Sequence, residues 1–202
     1  MTDLRWAADG SDAGVVTRVA RAIAQPDPVT LCLPGGATPV PIFAVLAAMR
    51  LPWDKVTIVP GDERAVPHGH PASNVGALRA AFGATSATIE PLSSDLRLPR
   101  FNLVWLGMGD DGHVASLFPN ADPDPDAPAA IIRVTPDPLP PAAPFARLSL
   151  NLAAIANSDA VMLVIRGAAK RALLAAAAAG DNDLPVARLL RLVPVTAFWS
   201  AT

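Results

Sequence analysis

His113 directly follows a glycine-rich stretch that carries two acids, GMGDDGH at residues 107–113. An imidazole takes up and returns protons near neutral pH, which suits it to general acid and base catalysis. A lone histidine in a turn more often has a structural role, but the flanking glycines and acids favour chemistry here. We therefore predict that His113 is catalytic and that Asp111 assists it.

The segment after Gly112 predicts a short helix. Apolar residues recur there at helical spacing, at Val114, Leu117 and Phe118. Asp111 would be the N-cap of this helix, and Pro119 would end it. The positive end of the helix dipole would favour the neutral imidazole that a general base requires. Whether Asp111 orients the ring of His113 or only caps the helix is open at this point.

A second candidate element is the loop Gly35-Gly36-Ala37-Thr38-Pro39, which follows an apolar strand. Its glycines let a ligand approach the backbone closely, and Pro39 suits the first turn of a helix. Free N–H groups at a helix N-terminus favour phosphate, and Thr38 adds a hydroxyl. The loop lacks the Lys-Ser/Thr pair of nucleoside triphosphate sites. Gly35, Gly36 and Thr38 are therefore predicted to bind a phosphate group.

Two cationic side chains follow other predicted strands. Arg64 ends a Gly-Asp-Glu-Arg stretch, and its guanidinium suits a phosphate or carboxylate. Lys170 lies in the first turn of a later helix, where a lysine opposes the helix dipole unless a bound anion reverses the sign. Asp62 could hold Arg64 or a sugar hydroxyl, and Asn74 could begin the next helix or contact the ligand. Glu63 is left without a role.

The alternation of strands and helices predicts an α/β fold with a mainly parallel sheet covered by helices on both faces. Strands are expected at 29–33, 55–59, 102–106, 160–165 and 195–199, with a further strand that need not be parallel at 147–152. Helices are expected at 11–25, 39–49 and 73–82, and between Gly167 and Gly180. Four of these strands are followed by polar loops, at 35–39, 61–64, 107–113 and 166–170. Because the carboxyl ends of parallel strands share one edge, these four polar loops should meet there.

Length and composition predict a single domain over residues 1–202. Nine of the 22 prolines lie between Pro119 and Pro144. That segment is predicted to be a surface excursion without regular structure, or a flap near the site.

Composition also argues against several kinds of function. A formal net charge of −2 disfavours nucleic-acid binding. No apolar run reaches the ~20 residues that span a bilayer, and no secretory signal is visible, so a cytoplasmic protein without membrane contact is expected. The single cysteine excludes an internal disulfide. His68 and His70 lack a recognisable third ligand, so no metal site is predicted.

The motifs resemble those of the 6-phosphogluconolactonases, which share a sugar-phosphate isomerase-like fold of the ribose-5-phosphate isomerase/CoA-transferase type with glucosamine-6-phosphate deaminases. GMGDDGHVASLFP at 107–119 matches the family's Gly-Met-Gly-x-Asp-Gly-His-Thr-Ala-Ser-Leu-Phe-Pro nearly residue for residue. The stretches at 34–39, 61–74 and 147–174 are similar to its Ser-Gly-Gly-Ser-Thr-Pro loop, its Asp-Glu-Arg…Ser-Asn block and its segment ending in Gly-x-x-Lys. Pro34 and Ala37 stand where the family usually has serines.

The resemblance implies hydrolysis of 6-phospho-D-glucono-1,5-lactone without a metal or organic cofactor. It implies His113 as the catalytic histidine. It places these residues around the phosphate and its sugar: Gly35, Gly36, Thr38, Arg64 and Lys170. Asp62, Asn74 and Gly109 are further predicted to contact the substrate. The expected partner is a small sugar-phosphate lactone, and a monomer or small homo-oligomer is expected.

Two alternatives remain. A glucosamine-6-phosphate deaminase usually continues Asp-Gly-His with Ile-Ala-Phe-Asn-Glu-Pro, whereas residues 114–119 here contain no acid. A sugar-phosphate sensor without catalysis would normally carry a DNA-binding segment, for which this chain has no basic helix. Ammonia release would favour the first, and tight product binding without turnover the second.

Overall fold

The computed structural model describes residues 3–121, 123–139 and 144–202. Its described strands are β1 (Leu4–Trp6), β2 (Val29–Leu33), β3 (Val56–Pro60), β4 (Asp62–Arg64), β5 (Thr88–Ile89), β6 (Leu103–Leu106), β7 (Ile131–Val134), β8 (Arg147–Leu150), β9 (Val161–Arg166) and β10 (Val195–Ser200). Its described α-helices are α1 (Asp12–Ile23), α2 (Val40–Ala47), α3 (Asn74–Phe82), α4 (Leu152–Ala156), α5 (Ala168–Ala179) and α6 (Pro185–Leu192).

The larger sheet has seven strands in the order β1-β10-β9-β6-β2-β3-β5, and its paired neighbours run parallel. After β2 the chain builds outward through β3 and β5, and then returns to the other side of β2 with β6. The order of strands therefore reverses between β2 and β6, which is the position where ligands bind in open α/β sheets. The predicted parallel sheet is confirmed.

Helices cover both faces of this sheet because successive strand residues point to opposite sides. Along β6, Leu103 and Trp105 pack with α1, α2 and α3, whereas Val104 and Leu106 pack with α4, α5 and α6. Such strands are apolar throughout, as expected for a sheet buried on both faces. The two cores fix the sheet edge from which the site loops project.

The second sheet is antiparallel, and only its central strand, β8, was predicted from the sequence. It has the order β4-β8-β7, with Asp62 opposite Ser149 and Ile131 opposite Leu150. The antiparallel pairing of β8 accords with the strand expected at 147–152. The Asp-Glu-Arg stretch was predicted as a loop and is instead strand β4, because its backbone pairs with β8.

The proline-rich segment also contains regular structure. The expectation that 119–144 lacks it was wrong for β7, which pairs along its length with β8. Prolines flank this strand but do not interrupt it, and an edge strand tolerates neighbouring prolines. Residues 122 and 140–143 of the segment lie outside the described residues.

The helix predicted after Gly112 is absent, and this prediction was wrong. Ala115 has a φ of 49°, which a right-handed helix does not allow. The N–H of Leu117 donates to the carbonyl of Val114 at 2.9 Å, closing a tight turn. The N–H of Ser116 donates to Oγ of Ser149 at 3.1 Å, so a distant strand competes successfully with a local helix.

The other predicted helices form with small changes at their ends. Ser73 caps α3 by accepting the N–H of Gly76, as its residue type indicates. Helices α4 and α6 and strands β1 and β5 were not predicted. Helix α4 and the two strands are too short to show a period, whereas α6 is clearly amphipathic and could have been found from the sequence. Within the described ranges, no helix combines the length and apolar character needed to cross a bilayer.

Candidate active site

A cleft of about 320 Å³ opens at the carboxyl ends of β9, β6, β2 and β3, which are adjacent in the sheet. The four polar loops singled out in the sequence follow these four strands. The predicted residues that line the cleft are Gly35, Gly36, Asp62, Arg64, Asn74, Gly109, His113 and Lys170. The fold therefore brings together most of the predicted site.

His113 is oriented by Asp111. Nδ1 of the ring lies 2.6 Å from Oδ1 of Asp111, and the same oxygen accepts the backbone N–H of His113 at 3.1 Å. An ionised carboxylate only accepts hydrogen bonds, so in the neutral ring the proton lies on Nδ1 and the lone pair on Nε2. Nε2 contacts no hydrogen-bonding group of the described residues. The ring also lies 4.5 Å from that of Phe118, centroid to centroid.

Two glycines shape the turn beneath His113. A Cβ on Gly109 would lie 2.1 Å from Nδ1 of His113, so only glycine leaves room for the ring. Gly112 has a φ of +78°, and a Cβ there would lie 2.8 Å from Cδ1 of Leu184. The carbonyl of Gly112 accepts the N–H of Val186 in the first turn of α6 at 3.1 Å. Helix α6 thus supports the turn that carries the histidine.

Lys170 lies in the first turn of α5, as predicted. Its Nζ donates to the carbonyl of Met108 at 2.6 Å and lies 3.5 Å from Oδ1 of Asp110. These contacts direct the ammonium toward the loop that follows β6 rather than into solvent. Lys170 therefore places a positive charge in the cleft near His113.

Two arginines complete the positive lining of the cleft. Nη1 of Arg64 donates to the carbonyl of Ala72 at 2.7 Å, while its buried Nε has no acceptor among the described residues. Arg147 is buried, and its guanidinium carbon lies 5.4 Å from the Phe118 ring. Burial lowers the pKa of Arg147 from its ordinary value, whereas Asp62 acts in the opposite direction. Arginine stays charged under both influences.

Asp62 is engaged by protein groups. Its Oδ1 accepts Nδ2 of Asn74 at 3.0 Å, and its Oδ2 accepts the hydroxyl of Ser116 and lies 3.7 Å from Nη1 of Arg147. Asn74 also donates to the carbonyl of Asp62 at 2.7 Å. A buried carboxylate held in this way organises the cleft floor and balances one of its cations.

Glu63 has a clear structural role. Its carboxylate accepts the N–H groups of Asn74 and Val75 at 2.7 and 2.8 Å and the hydroxyl of Ser73 at 2.9 Å. These groups lie at the N-terminus of α3, where a negative charge is favoured by the helix dipole. Glu63 thereby fixes α3, and with it Asn74, beside the cleft.

The glycine-rich loop offers unused donors. No backbone N–H from Gly35 to Thr38 has an acceptor within the described residues. Gly36 has a φ of +90°, and a Cβ on Gly35 would overlap the Asn74 side chain at 1.8 Å. Consecutive free N–H groups in such a turn form a concave site for an anion.

Thr38 and Asp111 do not line the main cleft. Thr38 lines a smaller adjoining cavity of about 110 Å³, together with Gly35, Gly36 and Lys170. Asp111 reaches the site only through His113.

Arg147 was not among the predicted site residues. The residue stands at the start of an alternating segment that was noted only as a strand. The signal available in the sequence was a charged residue at the start of an alternating strand, which could have indicated a site residue.

The two remaining histidines lie apart from the cleft. Nδ1 of His68 lies 3.3 Å from Nη1 of Arg79, and Nδ1 of His70 accepts the N–H of Ala72 at 3.1 Å. Over the described part of the chain, no three His, Cys, Asp or Glu side chains are grouped as metal ligands would be.

Comparison with known proteins places the chain among sugar-phosphate enzymes. The family described as glucosamine-6-phosphate isomerases/6-phosphogluconolactonase matches residues 6–95 and 83–199. A 6-phosphogluconolactonase of Caulobacter vibrioides is 37% identical over 208 residues, covering 91% of this chain and 87% of that protein. One from Mesorhizobium japonicum is 35% identical, covering 92% and 87%.

Solved structures agree with the sequence comparison. A crystal structure of a 6-phosphogluconolactonase from Shewanella baltica superimposes with a TM-score of 0.80 at 26% sequence identity. The superposition covers 100% of this chain and 98% of that one. The chain therefore has the same overall fold as that enzyme.

Proposed function

The chain belongs to the family of glucosamine-6-phosphate isomerases and 6-phosphogluconolactonases, and we propose that it hydrolyses 6-phospho-D-glucono-1,5-lactone to 6-phospho-D-gluconate. This is the second step of the oxidative pentose phosphate pathway. The observation that carries the proposal is His113, held by Asp111 with Nε2 unpaired among the described residues, in a cleft lined by three cations.

The charge of the cleft suits a phosphorylated substrate. Arg64, Arg147 and Lys170 line it, whereas Asp62 is its only lining carboxylate in the described part of the chain. The excess positive charge favours a dianionic phosphoryl group in a partly dehydrated setting. The N–H groups from Gly35 to Thr38 and the hydroxyl of Thr38 supply neutral donors for the same group.

The chemical step follows from the orientation of His113. Nε2 takes a proton from water, whose oxygen attacks the C1 carbonyl carbon of the lactone. The C1 carbonyl oxygen then becomes an oxyanion. The N–H groups of Gly107 and Met108 have no acceptor in the described structure and lie in the cleft wall, so they can stabilise this charge. Each such donor contributes about 3 kcal/mol in comparable sites.

Collapse of the tetrahedral intermediate completes the reaction. The bond between C1 and the ring oxygen breaks, and His113 returns its proton to that oxygen. Asp111 stabilises the imidazolium that exists between the two transfers. A lactone is an activated ester, so the proposed reaction uses no cofactor. Asn74 and Gly109 act in this scheme by positioning, through Asp62 and His113 respectively.

The direct test follows the loss of freshly generated phospholactone against its spontaneous hydrolysis. We expect the wild-type protein to accelerate it and His113→Ala to lower kcat by about 100-fold or more. His68→Ala is the matched control, because His68 is exposed and lies outside the cleft lining. A His113→Ala rate equal to wild type would overturn the assignment.

The same preparation separates the alternatives. Ammonia release from glucosamine 6-phosphate would identify a deaminase instead. Tight binding of 6-phosphogluconate without turnover would identify a sensor. The single-domain organisation, the cytoplasmic location and the monomeric or small homo-oligomeric state are also part of the proposal, and size-exclusion chromatography with light scattering measures the last.

A further inference from the structure

The small cavity beside the cleft is lined by one charged residue that has no role in the proposed mechanism, Arg166. It lies between the loop at 34–39 and the carboxyl end of β9, and Arg166 lines it together with Thr38 and Lys170. At about 110 Å³ it has room for a few heavy atoms. It therefore fits a substituent of a substrate whose ring occupies the larger cleft.

The donors around this cavity select an anion. The N–H groups of Gly36 and Ala37 have no acceptor among the described residues, and Lys170 contributes a positive charge. Pro34 has no N–H, and neither Pro34 nor Ala37 has a side-chain hydroxyl. The loop thus offers fewer side-chain donors than the serine-containing loop it resembles, and a guanidinium nearby would compensate.

Arg166 forms an ion pair with Asp12, a partner that a bound anion can replace. Its Nη2 donates to Oδ1 of Asp12, and its Nη1 donates to the carbonyl of Ile165 at 3.0 Å. The Arg166 side chain is 21% exposed and that of Asp12 is 57% exposed, so water competes for the carboxylate. Asp12 also lies in the first turn of α1, where the helix dipole stabilises its charge without Arg166.

We propose that Arg166 is a specificity residue that leaves Asp12 to bind the phosphoryl group of the substrate. A dianion in the cavity offers the planar guanidinium two oxygens and a higher charge than the exposed carboxylate does. The inference rests on the proposed function for the identity of the substrate. A change at Arg166 should therefore weaken binding of the phosphoryl group and leave the chemical step at C1 unchanged.

The first test compares Arg166→Gln with wild type on the phospholactone and on glucono-1,5-lactone without phosphate. We expect KM for the phospholactone to rise by about 10-fold, the loss of one charge-assisted hydrogen bond. The value of kcat, and the activity on the phosphate-free lactone, should stay near wild type. Arg100→Gln is the matched control, because Arg100 also pairs with an exposed acid, Asp159, and lies outside the cavity.

The second test uses Asp12→Asn, which keeps Arg166 and removes its competitor. KM for the phospholactone should fall, and this gain should disappear in the double variant Asp12→Asn/Arg166→Gln. This test stands even if Arg166→Gln fails to fold. An unchanged KM in folded Arg166→Gln, or a gain that persists in the double variant, would overturn the inference.

Binding of 6-phosphogluconate by calorimetry separates this inference from the proposed function. Weaker binding to Arg166→Gln than to wild type supports the role of Arg166 even if neither protein hydrolyses the lactone. Equal binding and equal hydrolysis leave the proposed function intact and refute the role of Arg166.

Discussion

Oδ1 of Asp111 accepts both the ring Nδ1 and the backbone N–H of His113, at 2.6 and 3.1 Å. One oxygen therefore fixes the turn and the imidazole together. The sequence left open whether Asp111 orients the ring or caps a helix. No helix begins there, and the contact with the ring is direct.

Asp111→Asn should lower kcat by about 100-fold while KM changes little. The amide has no charge to stabilise the imidazolium, and it can favour the wrong tautomer of the ring. Steady-state hydrolysis of the phospholactone measures both constants. Asp110→Asn is the neighbouring control, since that side chain is 92% exposed and does not contact His113. An equal loss of kcat in the two variants would contradict the role of Asp111.

Asp62→Asn should destabilise the fold by roughly 3 kcal/mol, because it removes the carboxylate beside the buried charge of Arg147. The Ser116 hydroxyl also loses its charged acceptor. Urea unfolding at neutral pH gives the free energy. Asp27→Asn provides the comparison on an exposed acid and should stay within ~0.5 kcal/mol of wild type. A stability of Asp62→Asn equal to that control would show that the pair contributes nothing.

Gly112→Ala should lower both stability and kcat. A left-handed conformation costs a residue with a Cβ about 1–2 kcal/mol, and contact with Leu184 adds to this. The turn must shift to relieve the contact, which moves His113. Thermal unfolding and kinetics report the two effects. Gly69→Ala is the control, since Gly69 has open space around it and no positive φ. A fully active, fully stable Gly112→Ala would refute the role of this turn.

Cys32 should resist alkylation in the folded protein. Burial raises the pKa of its thiol, and the nearby charge of Asp62 raises it further. The folded state thus keeps the proton while an unfolded chain loses it near the ordinary pKa of about 8.5. The contribution of this group to stability is present below that pH and is lost as the pH rises.

Two measurements check the Cys32 prediction. Iodoacetamide at about pH 8 should label the urea-unfolded chain readily and the native protein very slowly. Unfolding between about pH 8 and 10 should also show a steeper loss of stability in wild type than in Cys32→Ala. Rapid labelling of the native thiol would contradict the first expectation, and identical pH slopes the second.

Much of the site could be predicted because its chemistry is local in the sequence. Apolar strands that run into polar loops predict parallel strands with a shared edge, and the structure places those four strands side by side. The match of residues 107–119 to a family motif predicted His113 as the catalytic residue. Gly109 follows the same logic, because a Cβ there would meet His113 and Asp111, which are only a few positions away in the chain.

The tertiary structure decided what depends on distant partners. The local pattern after Gly112 favours a helix, but Ser116 forms hydrogen bonds with Ser149 and Asp62, which lie 33 and 54 positions away. Strand β4 has three residues, too few for a period, and exists because β8 pairs with it. Periodicity reports local preferences only, so a turn or strand that long-range hydrogen bonds stabilise is visible only in the folded chain.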